Sequence, residues 1–150
     1  MTYADQFPDF DPATLPPIPS TWIDQSWKHE LCPSWSVGSL RVWVNFLNSS
    51  AREFEDGPRF MITDEGTSDE VFSSDDWSAI LDFLAAFKIC MKWLSVLGAW
   101  FDPDLTAAEY HAEPQNADMN ADYDADMKRF KTLAYRDEAF FVAMVQSKLV

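Results

Sequence analysis

Apolar and polar residues alternate along the chain from position 40 to position 46. Every second residue of this stretch is apolar, and these residues are Leu40, Val42, Val44 and Phe46. The residues between them are Arg41, Trp43 and Asn45. Because successive side chains of a strand point to opposite faces of a sheet, the pattern predicts a β-strand with one buried face.

Three further segments of the N-terminal half carry strand signals: residues 22–27, residues 59–63, and the residues around Val71 and Phe72. The turn residues Asp64-Glu65-Gly66 separate the last two segments, since Asp and Gly favour turns. Together with the strand at 40–46, these segments predict a small antiparallel sheet of about three to four strands.

Helical spacing of apolar residues follows the sheet region. It runs through Ile80, Leu81, Leu84, Phe87, Met91, Leu94 and Leu97. Asp75 and Asp76 suit the first turn of a helix, and Gly98 suits its end. We expect one long helix from Asp75 to Leu97 that packs on the apolar face of the sheet. Further helices are expected in the C-terminal half, at 104–113, 117–131 and 137–149, so the predicted fold class is α+β.

Proline divides the chain into an arm and a domain. Residues 1–21 hold five of the nine prolines, which favour extended or turn backbone. The remaining 22–150 have the usual length of one domain. We therefore expect an extended Pro-rich arm at 1–21 and a single acidic α+β domain at 22–150.

Charge is the property in which this sequence departs furthest from an ordinary domain. The chain carries 25 acidic and 11 basic side chains, which gives a formal net charge of −14. Lys and Arg are missing from residues 60–87 and from residues 93–127. Such a surface repels nucleic acid and membranes and attracts basic proteins. The expected partner is a basic protein that itself binds nucleic acid, with no direct binding to nucleic acid or to a membrane.

The location of the protein is expected to be cytoplasmic. Asp5 and Asp9 stand where a secretory signal has basic residues ahead of an apolar run. No stretch reaches the roughly 18 uncharged apolar residues of a membrane span. Cys32 and Cys90 are then expected to be reduced thiols.

Motifs for metal or catalytic chemistry are incomplete in this sequence. His29-x-x-Cys32 has a spacing found in zinc sites but lacks a second close pair. Asp122-x-Asp124-x-Asp126 resembles the start of a calcium loop, but Met127 replaces the glycine and Leu133 the bidentate glutamate. Glycine loops for phosphate and the G-x-S-x-G signature are missing. We therefore expect a binding protein without catalytic residues, metal or cofactor.

Four tryptophans in the N-terminal third, Trp22, Trp27, Trp35 and Trp43, support an alternative. Tryptophan carries much of the buried surface of small domains, so the favoured interpretation is a core role. The other interpretation is a platform for a carbohydrate or another small molecule. A third possibility is a small hydrolase that uses paired carboxylates.

An acidic repeat with a period of four lies at Asp118, Asp122 and Asp126. Like charges at this spacing oppose a helix by about 0.2–0.5 kcal/mol per pair, so local stability does not explain them. The predicted partner-binding residues are these three, Asp124, and a second patch formed by Asp64, Glu65, Asp69 and Glu70.

These observations lead to the hypothesis that the protein is an acidic inhibitor. Such a surface suits the basic groove of a nucleic-acid-handling protein, as in the DNA-mimic inhibitors of restriction or CRISPR systems that phages and mobile elements encode. This analogy concerns a functional class and not a shared fold. The competing interpretation is that the charge provides only solubility.

Overall fold

Five antiparallel strands in the N-terminal part of the chain form a meander, in which each strand pairs with the next one along the sequence. The computed structural model describes residues 1–97, 125–126 and 128–129. The strands are β1 (Ile23–Asp24), β2 (Ser34–Val37), β3 (Leu40–Val44), β4 (Phe60–Asp64) and β5 (Glu70–Ser74), and the helices are α1 (Tyr3–Gln6) and α2 (Trp77–Leu97).

Alternation along β3 and β4 sets the two faces of the sheet. Val42 pairs with Ile62 and Val44 with Phe60, and the four side chains are at most 2% exposed. Trp35 of β2 pairs with Val42 and is 4% exposed. This face is the core of the sheet, as the alternation at 40–46 predicted.

A two-residue turn joins β2 to β3. Val37 pairs with Leu40, so only Gly38 and Ser39 lie between the strands. Gly38 has φ +63°, which glycine adopts without the steric cost that other residues meet. A left-handed first residue is typical of the type II′ hairpin, whose twist matches that of the strands.

The segment 1–21 packs against the sheet through aromatic side chains. Phe10 is 3% exposed and its ring centroid lies 5.3 Å from that of Phe46. The ring of Tyr3 lies 5.7 Å from Trp35. Within this segment, α1 and a short 3-10 turn at Pro12–Thr14 interrupt the extended backbone.

The helix predicted after the sheet is present as α2 and begins at Trp77, two residues later than expected. Asp76 caps it, because its carboxylate Oδ1 accepts from the N–H of Ser78 at 2.9 Å. The Trp77 ring lies 5.1 Å from Phe60 and 5.7 Å from Trp22. Its buried positions recur every three residues, at Ile80, Phe83, Ala86 and Ile89. Of these, Ile80 belongs to the predicted stripe, whereas Leu81 of that stripe is 38% exposed.

A sheet followed by a long helix agrees with the α+β class, but the strand number differs from the prediction. The described residues contain five strands instead of three to four. The strand that the sequence pattern missed is β2, where Ser34 and Trp35 are both buried and apolar alternation is lost. The packing of α2 on the sheet stays a prediction.

Two compact units, residues 1–80 and 81–150, make up the chain. The helices predicted at 104–113 and 137–149 lie outside the described residues. In the predicted 117–131 helix, residues 125–126 and 128–129 are described and are helical. None of the described helices combines the length and apolarity needed to cross a membrane.

Replacement of Ile62 by Ala should destabilise the protein strongly. Ile62 is fully buried, and loss of such a side chain costs about 2–5 kcal/mol through lost burial and the cavity left behind. The matched control is Val71→Ala on β5, whose side chain is 37% exposed and which should cost less than about 1 kcal/mol. Urea unfolding monitored by circular dichroism measures both, and similar costs for the two variants would contradict the assigned core face.

Candidate functional site

The face of the sheet opposite to the core forms the floor of a cleft. Arg41 and Trp43 of β3 and Met61 and Thr63 of β4 lie between the core positions, so their side chains point to this open face. The cleft has a volume of about 680 Å³. Its walls come from three loops, around residues 30–32, 53–58 and 64–70.

Arg41 is fixed on the floor by several partners. Its Nη2 donates to the carbonyl of Gln25 at 2.7 Å and lies 2.9 Å from Oε2 of Glu30, which forms an ion pair with it. Its Nε donates to Oγ of Ser34 at 3.0 Å. The positive charge of Arg41 is therefore compensated within the fold, and the segment 25–34 is tied to β3.

Trp43 lies beside Arg41 and is equally constrained. The guanidinium carbon of Arg41 lies 4.4 Å from the centre of the Trp43 ring, within the range of a cation–π contact. The indole Nε1 donates to Oγ1 of Thr63 at 2.9 Å. These contacts hold the floor in one arrangement and leave Trp43 half-buried.

The wall at residues 53–58 depends on Arg52. Its guanidinium donates to the carbonyls of Phe46 at 2.8 Å, Leu47 at 3.2 Å and Gly57 at 2.8 Å. These bonds close the loop from 46 to 57 without a carboxylate partner. The closed loop presents Phe54, which is 69% exposed, and the neighbouring Glu53, which is also exposed.

A β-bulge brings Glu70 to the cleft. The β4–β5 ladder pairs Ile62 with Phe72 but Thr63 with Glu70, so Val71 is an extra residue on β5. Regular pairing would place Glu70 opposite Asp64, on the core side of the sheet. The inserted residue moves Glu70 opposite Thr63 and therefore onto the open face.

In the turn between β4 and β5, the carboxylate of one acid accepts hydrogen bonds from the backbone of the turn itself. Oδ1 of Asp64 accepts from the N–H groups of Gly66 at 2.8 Å and Thr67 at 3.3 Å, and Asp64 is 8% exposed. Ser68 adopts φ 64° in this turn, a conformation that is uncommon outside glycine. Glu65 stays exposed and accepts from Oγ of Ser36.

Negative charge dominates the cleft. Five of its lining residues are Asp or Glu and two are Arg. Among the described residues, Glu53 and Glu70 have neither an ion pair nor a hydrogen bond at their carboxylates. Arg59 donates through Nη2 to the carbonyl of Thr14, and its burial, with Arg52 nearby, lowers the pKa of its guanidinium. The cleft therefore has two uncompensated carboxylates at its wall.

The predicted site residues do not all lie in one place. Asp64, Glu65 and Glu70 line the cleft, whereas Asp69 is exposed outside the lining. Asp126 is helical and half-buried, and Asp118, Asp122 and Asp124 lie outside the described residues. Sequence reasoning missed the cleft residues Glu30, Glu53, Phe54 and Arg41; for Arg41 the signal existed in the alternation at 40–46.

The tryptophans have distinct roles. Trp35 is buried in the core, and Trp22 packs on Trp77. Trp43 belongs to the cleft floor. Trp27 is 49% exposed, with its ring 5.4 Å from that of His29.

Cys32 lines the cleft as a buried thiol. It is 4% exposed, and its burial, with the Glu30 carboxylate nearby, raises the pKa of the thiol to about 12. His29, the other member of the zinc-like spacing, is exposed. Within the part of the chain that the structure describes, no three His, Cys, Asp or Glu residues are grouped as a metal site requires.

Comparisons of the chain with protein-family models, with curated proteins and with solved structures found no match. The residues of the cleft and the charge of the chain are the features that bear on its function.

Native Cys32 should react slowly with a thiol reagent at roughly pH 8, because only the thiolate is nucleophilic and the pKa of this thiol is about 12. Comparing the wild type with Cys32→Ala separates its labelling from that of Cys90. In concentrated urea Cys32 should label at the rate of an ordinary thiol. Rapid labelling of Cys32 in the native protein would contradict its burial.

The raised pKa of Cys32 also predicts how the free energy of unfolding changes with pH. The pKa of Cys32 is about 12 in the folded protein against 9.0 for a free thiol, so folding favours the protonated form. The resulting stabilisation is complete below the free value and is lost as the pH rises toward the folded value. In that alkaline window the wild type should therefore lose more unfolding free energy than Cys32→Ala, as urea titrations at fixed pH can measure.

Proposed function

We propose that this protein is an acidic binding protein that docks on the basic surface of a nucleic-acid-handling protein and inhibits it by occupying the place of nucleic acid. The observation that carries the proposal is the charge: 25 acids against 11 basic residues, with uncompensated Glu53 and Glu70 at an open cleft. No residue is assigned a catalytic role.

Segregated charge supports a protein partner over other targets. The stretches 60–87 and 93–127 lack Lys and Arg, so they present a field of one sign. Such a field accelerates encounter with a positive groove and repels phosphate-bearing nucleic acid and anionic lipid. Screening weakens it over about 10 Å at 0.1 M salt, so binding should depend on ionic strength.

A small-molecule binding role is the second candidate, and Trp27 is the observation that favours it. Its ring is half-exposed and packs edge-on against the exposed His29, an arrangement open to stacking by a sugar or by a planar ligand. Trp43 is less suited, because Arg41 already occupies one side of its ring. A change of tryptophan emission on sugar titration that disappears in Trp27→Phe would support this alternative.

Charge reversal tests the proposed function. The partner is first captured from host lysate and identified, and its affinity is then measured by calorimetry. Asp118, Asp122 and Asp126 replaced together by Lys should weaken binding roughly tenfold, because three charge pairs with the partner contribute about 0.5 kcal/mol each. Raising the salt concentration should weaken binding of the wild type as well.

Asp5, Asp9 and Asp11 provide the control, since all three are exposed in the N-terminal segment and lie outside the lining of the cleft. Their reversal to Lys changes the net charge by the same amount but should change affinity by less than about twofold. The proposal would be wrong if the two triple variants weakened binding equally, or if the affinity for the partner did not change with salt concentration. The charge would then serve only solubility.

A further inference from the structure

Exposed apolar side chains lie at the mouth of the cleft. Phe54 is 69% exposed and Leu31 is 57% exposed, and both line the cleft. The backbone on either side of Phe54 is held by Arg52 and by the N–H of Gly57, which donates to the carbonyl of Phe54 at 2.9 Å. A phenylalanine held outward on a fixed loop is suited to contact a partner, because no ordering of the loop is needed on binding.

The floor below these side chains includes apolar surface, part of it from a flexible side chain. Met61 and Trp43 are half-buried on it, and the flexible thioether of methionine fits side chains of different shapes. The polar groups of Arg41 and Trp43 already have partners within the fold. An apolar group that enters the cleft therefore covers apolar surface without breaking those bonds.

The charge of the cleft indicates a second property of a group that binds there. Glu53, Glu65 and Glu70 are exposed carboxylates of the walls. Of the two arginines in the lining, Arg41 is compensated by Glu30, and Arg59 donates to the carbonyl of Thr14, so carboxylates outnumber the cations. A Lys or Arg side chain meets this requirement, since its aliphatic stem can lie on apolar surface while its charged end reaches a carboxylate.

The size of the cleft limits the occupant to a short segment. Its volume of about 680 Å³ falls within the range of about 300–1,000 Å³ that ligand pockets occupy. A cleft of this size accepts a few side chains rather than the surface of a whole helix or domain.

We infer that this cleft is the docking site for a short basic segment of the partner protein, in which a Lys or Arg side chain is adjacent to an apolar one. The apolar side chain packs on Phe54 and Met61, and the basic side chain pairs with Glu53 or Glu70. This inference rests on the proposed function for the kind of partner, and it adds the place and the chemistry of the contact.

A capped tetrapeptide of sequence Lys-Leu-Arg-Phe is the probe for this site. Its binding to the full chain is followed by the indole N–H signal of Trp43, which is assigned by its loss in Trp43→Phe. The wild type should bind this peptide. A version with Glu in place of both basic residues, and one with Ser in place of both apolar residues, should each bind about tenfold more weakly or not at all.

Two matched pairs of variants localise the contact. Glu70→Lys should weaken binding about tenfold and Asp69→Lys less than about twofold, because the neighbouring Asp69 is exposed outside the cleft. Phe54→Ser should likewise weaken binding about tenfold. Leu47→Ser is its control, since Leu47 is 55% exposed on the same loop but does not line the cleft.

The outcomes separate this inference from the proposed function. Equal weakening by Glu70→Lys and Asp69→Lys would show diffuse attraction and overturn the cleft as the site, while leaving charge-driven partner binding in place. The inference would also be overturned if the Lys-Leu-Arg-Phe peptide did not bind, or if its Glu or Ser version bound as tightly as the original peptide. Peptide binding at the cleft together with salt-independent capture of the partner would instead contradict the proposed function. All four variants change exposed side chains, and their circular dichroism should match that of the wild type.

Discussion

The two-residue period of the paired strands β3 and β4 is the constraint on which the rest of the structure depends. Once Val42 and Ile62 are buried, the residues next to them must point the other way. Arg41 and Trp43 are therefore brought to the open face by the same register that builds the core. The cleft floor is a geometric consequence of the core. A shift of one residue in the pairing register of a strand would move its core side chains to the open face and its floor side chains to the core.

Two local departures from regular structure turn this open face into a cleft. The extra residue Val71 rotates Glu70 away from the core side, and Arg52 closes the loop that presents Phe54. Neither device contributes an apolar side chain to the core of the sheet. Their effect is to place one carboxylate and one aromatic ring at the rim of the same concave surface.

The fold was more predictable from the sequence than the site was. Strong alternation located β3, and periodic apolar residues located α2, because each pattern reflects burial of a single element. The short β2 carried no such pattern, since its buried Ser34 is satisfied by a bond from Arg41 rather than by apolar packing. The cleft depends on a bulge and on arginine bonds to backbone carbonyls, and neither leaves a periodic trace. Of the proposed second patch, only Asp69 fell outside the cleft lining.

The acids of the first unit differ in what their carboxylates contact. Four aspartates accept from the backbone N–H two residues further along, as the short Asp side chain favours: Asp11, Asp24, Asp64 and Asp76. Asp75 instead accepts from the N–H of the distant Arg59. Bonds from Thr2 likewise hold the pKa of Asp5 below its ordinary value. The acids of the cleft other than Asp64 are all glutamates, whose longer side chains reach away from their own backbone. A hydrogen bond does not remove the charge of a carboxylate, so these aspartates still add to the long-range field. The carboxylates of Glu53 and Glu70, which have no partner among the described residues, can in addition pair directly with a basic side chain at the cleft.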